Sequence, residues 1–417
     1  MSLQRLGLKI LKTFVAFLVV TTAAFDTHAD DARVHRLGEA PETRVYFDHY
    51  RLHEAITEDG VRLPFIELLN TDGSVVKSSK PAIYLQHGYT QSLNTYFEIA
   101  DSLRKQGHRV FVGNFRGHGQ GTLQAVGVDG ADPATDSRLV FERLATDDVP
   151  ALLTALSRIT NGKIVWVGHS MGGMMMHLAL GGLKRSGQSY EVSSKRAEWV
   201  ASRVAHFVAL GSPVSFERSG FVESLFMKLV SHANINADRS QSDLSKSWLG
   251  RLVQGGVRDT LHFGAQFGSP LEGLINLRNI SRAEYDVQSE YMGSRVPKMF
   301  AKSVMFNLRP HGYASLDGKI DYARISMGVS GDDERVRPLV PTLIVSADKD
   351  MLAPLKDQNQ MVKNRGLKQK VLKDTGHLDM VMGEAASLIT SETALSTNSH
   401  SKQLGRVVRG CRSVFVR

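Results

Sequence analysis

Ser170 stands in Gly168-His169-Ser170-Met171-Gly172, where an apolar, β-branched run (KIVWVGH, 163–169) gives way at once to a helix-like segment. A serine hydroxyl can attack a carbonyl carbon, but it is a poor nucleophile at neutral pH. It needs a base, and the base needs an orienting carboxylate. The Gly-x-Ser-x-Gly spacing at a strand-to-helix junction meets the first requirement of that chemistry: a sharp turn that holds the serine out at the end of a strand. Gly168 and Gly172 are expected because a side chain at either place would collide with the neighbouring strand or helix. A helix starting at Ser170 would also aim backbone N–H groups and its positive dipole end at a developing anion.

Where a serine is presented in this way, the acid and then the histidine follow it along the chain. His377, in DTGHLDM, lies just past the last predicted strand and is the expected base. The carboxylate should follow the strand 342–347, where Asp348 and Asp350 both qualify. Asp350 is preferred because it stands four residues before Pro354, where the next helix begins, which leaves Asp348 as a solvated turn residue. His87 and His169 read as local, backbone-bonding residues, and His118 belongs to a loop. An oxyanion formed by attack on a carbonyl needs two backbone donors. The amide of Met171, after the serine, is one candidate; that of Tyr89, in the turn after YLQHG, is the other.

These groups depend on a frame of strands and helices. LHEAITEDGVRLPFIELLN (52–70) shows two alternating segments around Glu-Asp-Gly, a hairpin signal. PAIYLQHG (81–88) and RVFVGNFRGHG (109–119) are short buried-strand runs, the second leading into a glycine-rich loop, with a helix over 94–108 between them. ATDDVPALLTALSRITNG (145–162) predicts a helix capped by Asp147 or Asp148, with Pro150 in its first turn and Gly162 at its end. Strands follow at 163–169, 204–213, 341–350 and 368–374. Alternating strands and helices imply an α/β protein, a mostly parallel sheet with helices on both faces. The alternation breaks after Pro213, and residues 214–335 read as helical and irregular with no clear strand, an inserted cap or lid. The expected organisation is a leader over 1–29, a core over 30–213, the cap over 214–335, the rest of the core over 336–390, and a polar then basic tail over 391–417.

Composition narrows the function classes. With 51 Lys and Arg against 42 Asp and Glu, the net charge is +9, but much of the excess sits at the two ends. No basic stripe with interleaved aromatics marks a nucleic-acid surface, so no nucleic-acid partner is expected. Weak attraction to an anionic membrane surface is compatible with this charge. Arg5, Lys9 and Lys12 precede the apolar run 13–25, shorter than the ~20 residues a spanning helix needs, and THA at 27–29 offers a cleavage site after Ala29. Export is expected. Cys411 is the single cysteine, which suits a bacterial periplasmic or secreted protein better than a disulfide-rich secreted one. No spacing of His, Cys, Asp or Glu suggests a metal and no phosphate-binding glycine fingerprint is present, so neither metal nor other cofactor is expected. Asn279-Ile280-Ser281 fits a glycosylation sequon, without an assigned role. The amphipathic stretch GFVESLFMKLV (220–230) could meet lipid if exposed on a lid.

Together these residues resemble the α/β-hydrolase superfamily, and several stretches are similar to the branch that holds the acid (gastric and lysosomal) lipases and their bacterial relatives. LQHGY resembles that branch's oxyanion turn, VFVGNFRGHG its Gly-Asn-x-Arg-Gly strand end, and FERLATDDVPALLTAL the helix before the serine turn. VAHFVALGSPV, VSADKDML and GHLDMVMG resemble the following strand, the acid turn and the His-Leu-Asp stretch. The likeness covers roughly 81–213 and 338–384. It implies the α/β-hydrolase fold, a mostly parallel eight-stranded sheet flanked by helices with an inserted lid over an apolar pocket. It also implies a serine hydrolase acting on small-molecule or lipid esters. The residue after the serine is Met171, where acid lipases typically carry Gln. Acyl transfer by the same groups is the alternative activity, and a ligand-binding protein on this scaffold is the non-enzymatic one.

Overall fold

The computed structural model describes residues 47–89, 91–119, 125, 136, 138–215 and 339–382, with 273, 275–276, 279–280, 300, 303–304, 308–309, 312–315 and 317–328. The expected leader, the tail, the stretch 220–230 and most of the insertion 214–335 lie outside the described residues.

Strands buried along their whole length build the middle of the sheet. The first hairpin is formed by β1 (Tyr50–Ile56) and β2 (Arg62–Leu68), antiparallel from Tyr50 opposite Leu68 to Ile56 opposite Arg62. Then come β3 (Ile83–Gln86), α1 (Phe97–Lys105), β4 (Val110–Gly113), α2 (Val149–Thr160), β5 (Ile164–His169) and α3 (Met171–Leu180). A small hairpin of β6 (Leu183–Ser186) and β7 (Ser189–Val192) and helix α4 (Ser194–Ala201) lead to β8 (Val204–Leu210). After two-residue strands β9 (Leu308–Arg309) and β10 (Gly312–Tyr313) and helix α5 (Tyr322–Met327), the chain returns through β11 (Thr342–Ala347), α6 (Leu355–Arg365) and β12 (Lys368–Leu372). The main sheet has eight strands in the order β1-β2-β4-β3-β5-β8-β11-β12. β2 is antiparallel to both of its neighbours and the six strands from β4 to β12 are parallel.

Alternate residues of the central strands feed two cores, one on each face. Ile83, Leu85, Val165, Val167, Val208, Leu210 and Val345 pack with Ile99 and Leu103 of α1. Tyr84, Ile164, Trp166, Phe207 and Ile344 pack on the other side with Leu152, Leu153 and Leu156 of α2 and Met175 and Leu178 of α3. Burial on both faces is why these strands read as continuous apolar runs.

Two local expectations need correction. Neither Asp147 nor Asp148 caps a helix through its side chain, because the helical run begins earlier, at Phe141–Arg143, and passes through a π-helical turn, Leu144–Asp148, into α2. The left-handed residue ending α2 is Asn161 rather than Gly162. The hairpin β6–β7 and helix α4 were not expected, since LKRSGQSYEV is polar and half exposed and carries no apolar alternation.

The Asp148 carboxylate serves Arg116. The fully buried guanidinium reaches Asp148 Oδ1 through Nε (2.7 Å) and Nη2 (2.6 Å), and the Arg116 amide donates to Oδ2 (3.0 Å). Its Nη1 donates to Asp59 Oδ2 (2.9 Å) and to the Arg138 carbonyl (2.7 Å). One side chain thus ties the loop after β4 to the β1–β2 turn and to the start of α2. Burial opposes the Asp59 carboxylate, but the hydrogen bond and charge of Arg116 prevail and hold it down at about 2. Burial lifts Asp148 towards about 6 while the three Arg116 donors work the other way. With Asp148 and Asp59 holding the guanidinium charged against its own burial, the geometry is that of an ionised pair. Arg116→Met should therefore lower the unfolding free energy by about 3–5 kcal/mol, because it leaves the buried Asp148 carboxylate with no side-chain partner and removes one of the two guanidinium groups on Asp59. Arg143→Met should cost much less, since that side chain keeps 16% exposure. Urea denaturation of both variants tests the ranking, and equal losses would refute it.

Acid should weaken the fold through buried imidazoles. Burial pushes His118 from 6.5 down to about 4, and burial, with the neighbouring His118, holds His87 well below its ordinary range. At these imidazoles the unfolded chain then binds more protons than the folded one between about pH 6.5 and 4, so the stability they contribute is lost as pH falls through that window. His118 alone accounts for up to about 3 kcal/mol. Urea midpoints measured from pH 7 to 4.5 should fall, and a His118→Phe variant should fall less steeply.

Candidate active site

Ser170 caps α3 with φ 50° and ψ −120°. That is a sparsely populated backbone conformation for a residue with a β-carbon, and it costs on the order of 1–3 kcal/mol. The strain is held in place by neighbours. The Ser170 amide donates to the Leu210 carbonyl at the end of β8 (2.9 Å), and its carbonyl accepts from Gly173 and Met174 (3.1 Å each). A methyl at Gly168 would stand 2.5 Å from the Gly172 carbonyl carbon and the Gly173 nitrogen. One at Gly172 would run into the carbonyl oxygens of Gln86 and His87 at the end of β3. The helix is pressed onto the strand ends, and only glycine fits at either place.

Asp350 and His377 meet. Asp350 follows β11, lies 5% exposed, and both its oxygens approach His377 Nδ1, Oδ2 at 2.9 Å and Oδ1 at 3.0 Å. Asp350 Oδ1 also accepts the amides of Leu352 and Ala353 (2.8 Å each), which fixes the carboxylate at the start of the turn into α6. Asp348 is turned elsewhere: it accepts the Thr375 amide at 3.4 Å and lies 3.9 Å from Lys373 Nζ. Of the two acids that the sequence left open, Asp350 is the one against the imidazole. His377 is 2% exposed and follows β12. Ser170, Asp350 and His377 thus come from the ends of β5, β11 and β12, which with β8 form consecutive neighbours in the sheet.

Met171 follows the serine in the chain, and the turn that leads to Tyr89 packs against it. Met171 is the first residue of α3, so its N–H is one of the helix's four N-terminal donors that lack an intrahelical acceptor. Gly88, before Tyr89, lies so close to Ser170 that a methyl on it would stand 2.9 Å from the Ser170 Cβ. The Gly88 N–H donates to Gln91 Oε1 (2.7 Å). Tyr89 stacks against Phe300, with ring centroids 6.1 Å apart.

Gln91 and the role of His169 were not legible beforehand. His87 is local, as expected: its Nδ1–H donates to Gly88 O (2.7 Å) and Nε2 accepts the Phe115 amide (3.2 Å). His118 Nδ1–H likewise donates to Arg116 O (2.9 Å). The His169 ring instead spans Gln91 Oε1 and the His377 carbonyl, 3.0 Å from each. Burial, and then the nearby His377, push His169 well below its ordinary range, so the ring is neutral. Both contacts are acceptors, so its single proton can serve only one of them in a given tautomer. Gln91 and His169 stitch the Gly88 turn, the serine turn and the histidine loop together.

The sequence matches the family described as the alpha/beta hydrolase fold over residues 81–383. The chain belongs to the α/β-hydrolases. No curated protein matches it. Among solved structures, this α/β-hydrolase is similar to a provisionally assigned lipase from Acinetobacter baumannii, with TM-score 0.51 and 13% identity over 85% of this chain and 93% of that one. It is also similar to a thermophilic esterase from Thermogutta terrifontis (TM-score 0.49, 16% identity, 84% and 99% covered). A protein from Klebsiella pneumoniae provisionally assigned as an epoxide hydrolase gives TM-score 0.49 at 14% identity, with 84% and 97% covered. At 13% identity the likeness to the Acinetobacter baumannii protein bears on the fold alone.

Proposed function

We propose that this α/β-hydrolase is a serine ester hydrolase of the lipase or carboxylesterase kind, exported by the leader over residues 1–29. The observation that carries the reading is the 2.9 Å pairing of Asp350 with His377 Nδ1 beside the strained turn of Ser170. In this reading Ser170 Oγ attacks the ester carbonyl carbon and His377 Nε2 takes its proton. Asp350 accepts from Nδ1–H, fixing the tautomer and stabilising the imidazolium. The amides of Met171 and Tyr89 receive the oxyanion. Collapse expels the alkoxide with the proton from His377, leaving the acyl group on Ser170. Water, deprotonated by His377, then releases the acid. The acid-lipase likeness of the sequence favours an apolar acyl chain.

The test is hydrolysis of p-nitrophenyl esters from short to long acyl chains by purified residues 30–417, with mass-spectrometric mapping of a fluorophosphonate adduct. Turnover together with labelling confined to Ser170 supports the reading. A folded protein that neither hydrolyses any ester nor takes the label at Ser170 sinks it.

A further inference from the structure

The long insertion gives the sequence no recognisable role beyond choosing a substrate, yet a few of its residues reach the two loops that carry the acid and the base. The carbonyl of Gly273 accepts from the Met351 amide (2.9 Å), next to Asp350, and from the His377 amide (3.2 Å). One oxygen therefore bridges the acid turn and the histidine loop. The approach is close enough to demand glycine, since a methyl on Gly273 would stand 2.8 Å from the Lys349 carbonyl oxygen and 2.9 Å from the Met351 Cβ.

A second set of contacts locks the same segment onto the far side of His377. Asn276 Nδ2 donates to the Asp374 carbonyl (2.6 Å), as does Asn279 Nδ2 (2.7 Å). The buried Asp379 carboxylate collects three donors from two directions. Its Oδ1 accepts the amides of Gly376 (2.8 Å) and Asn276 (3.3 Å), and its Oδ2 accepts Asn279 Nδ2 (2.8 Å). Gly376 is the residue immediately before His377, so Asp379 restrains the histidine loop and the insertion at once. Ile275 and Ile280 seat the segment in the core on this face of the sheet. The Asn279 amide is spent on these bonds, which gives the sequon at 279–281 a structural use.

We propose that Gly273, Ile275, Asn276, Asn279 and Ile280 form a clasp that positions His377 against Asp350, with Asn276, Asn279 and Asp379 as positioning residues. This rests on the reading of Ser170, His377 and Asp350 as the reacting groups. The clasp makes the insertion part of the machinery for the chemical step. It does so through the backbone: the amide of His377 is held by Gly273, the amide before it by Asp379, and its carbonyl faces His169. A base restrained on both sides of its own Cα has little freedom to swing away from the serine.

The test is a set of variants in the full chain, with active sites titrated by fluorophosphonate so that rates refer to folded, competent enzyme. Asn279→Asp would set a second carboxylate where the Asn279 amide now donates to Asp379. It should lower kcat on p-nitrophenyl butyrate by about 10- to 100-fold with KM little changed, the scale expected when a reacting group is displaced by about 1 Å. Pairing it with Asp379→Asn restores the donor–acceptor match at residue 379 but not the bond to the Asp374 carbonyl, and should recover part of the lost kcat. Asn276→Ala, which introduces no charge, should show a smaller loss in the same parameter and serves if Asn279→Asp fails to fold. A merely structural segment would lower Tm in all three while leaving kcat per titrated site unchanged, and that result overturns the proposal. If the wild-type enzyme labels at Ser170 and hydrolyses esters but the variants keep its kcat, the clasp fails and the serine-hydrolase reading stands. If the wild type does neither, both fail.

Discussion

Ser170→Ala should abolish ester turnover, with kcat falling by roughly 10⁶-fold, the scale seen when a serine protease loses its nucleophile. Stability should hardly change. The strain at this residue comes from placing a β-carbon at φ 50°, and alanine keeps that β-carbon. The residue is half-buried and its hydroxyl is the only group removed. Ser170→Gly separates the two effects. It would lose the same chemistry but relieve the backbone, and should raise the unfolding free energy by about 1 kcal/mol. Paired kinetics and urea denaturation check both statements. A variant that turned over esters at the wild-type rate, or a glycine variant less stable than the alanine one, would show that the turn is an ordinary loop.

The parts of this molecule that could be read in the sequence are those governed by short-range rules. The buried strands announce themselves because residues such as Val165, Trp166 and Val167 are covered on both faces of the sheet, which leaves no polar position to interrupt the run. Gly168 and Gly172 are legible because two backbones pass within a methyl group's reach. His377 follows from its place after the last strand. What could not be read depends on contacts far apart in the chain. Nothing near Asp148 announces that its carboxylate is taken by a guanidinium 32 residues earlier, and helix-start chemistry alone suggested a cap. Gln91 stands 78 residues from His169, with no periodicity to flag it. Gly273 bonds an amide more than a hundred residues away, in a segment with neither strand alternation nor a helical stripe. The choice between Asp348 and Asp350 belongs to the same class. Both carboxylates sit in one turn, and only the position of the histidine loop decides which one meets the imidazole.

That choice sets the second large expected effect, in Asp350→Asn. The asparagine would keep an oxygen at the Oδ1 position for the amides of Leu352 and Ala353, both 2.8 Å away, so the turn into α6 should survive and Tm should change little. Its amide group would replace Oδ2, which now lies 2.9 Å from His377 Nδ1. An NH₂ there donates, so Nδ1 must accept, and the ring proton moves to Nε2. The nitrogen meant to take the Ser170 proton is then already protonated, and the imidazolium loses its counter-charge. Those two losses together cost about 10⁴-fold in kcat in the reference serine protease, and a loss of that order is expected here. KM should move little, because the carboxylate is buried behind the histidine. Asp348→Asn provides the contrast: its partners are the Thr375 amide at 3.4 Å and Lys373 Nζ at 3.9 Å, so kcat should stay at the wild-type level. Steady-state kinetics on one ester for the two variants decide the matter. A large loss in Asp348→Asn with little in Asp350→Asn would move the orienting carboxylate to the other end of the turn and overturn the assignment drawn from the geometry.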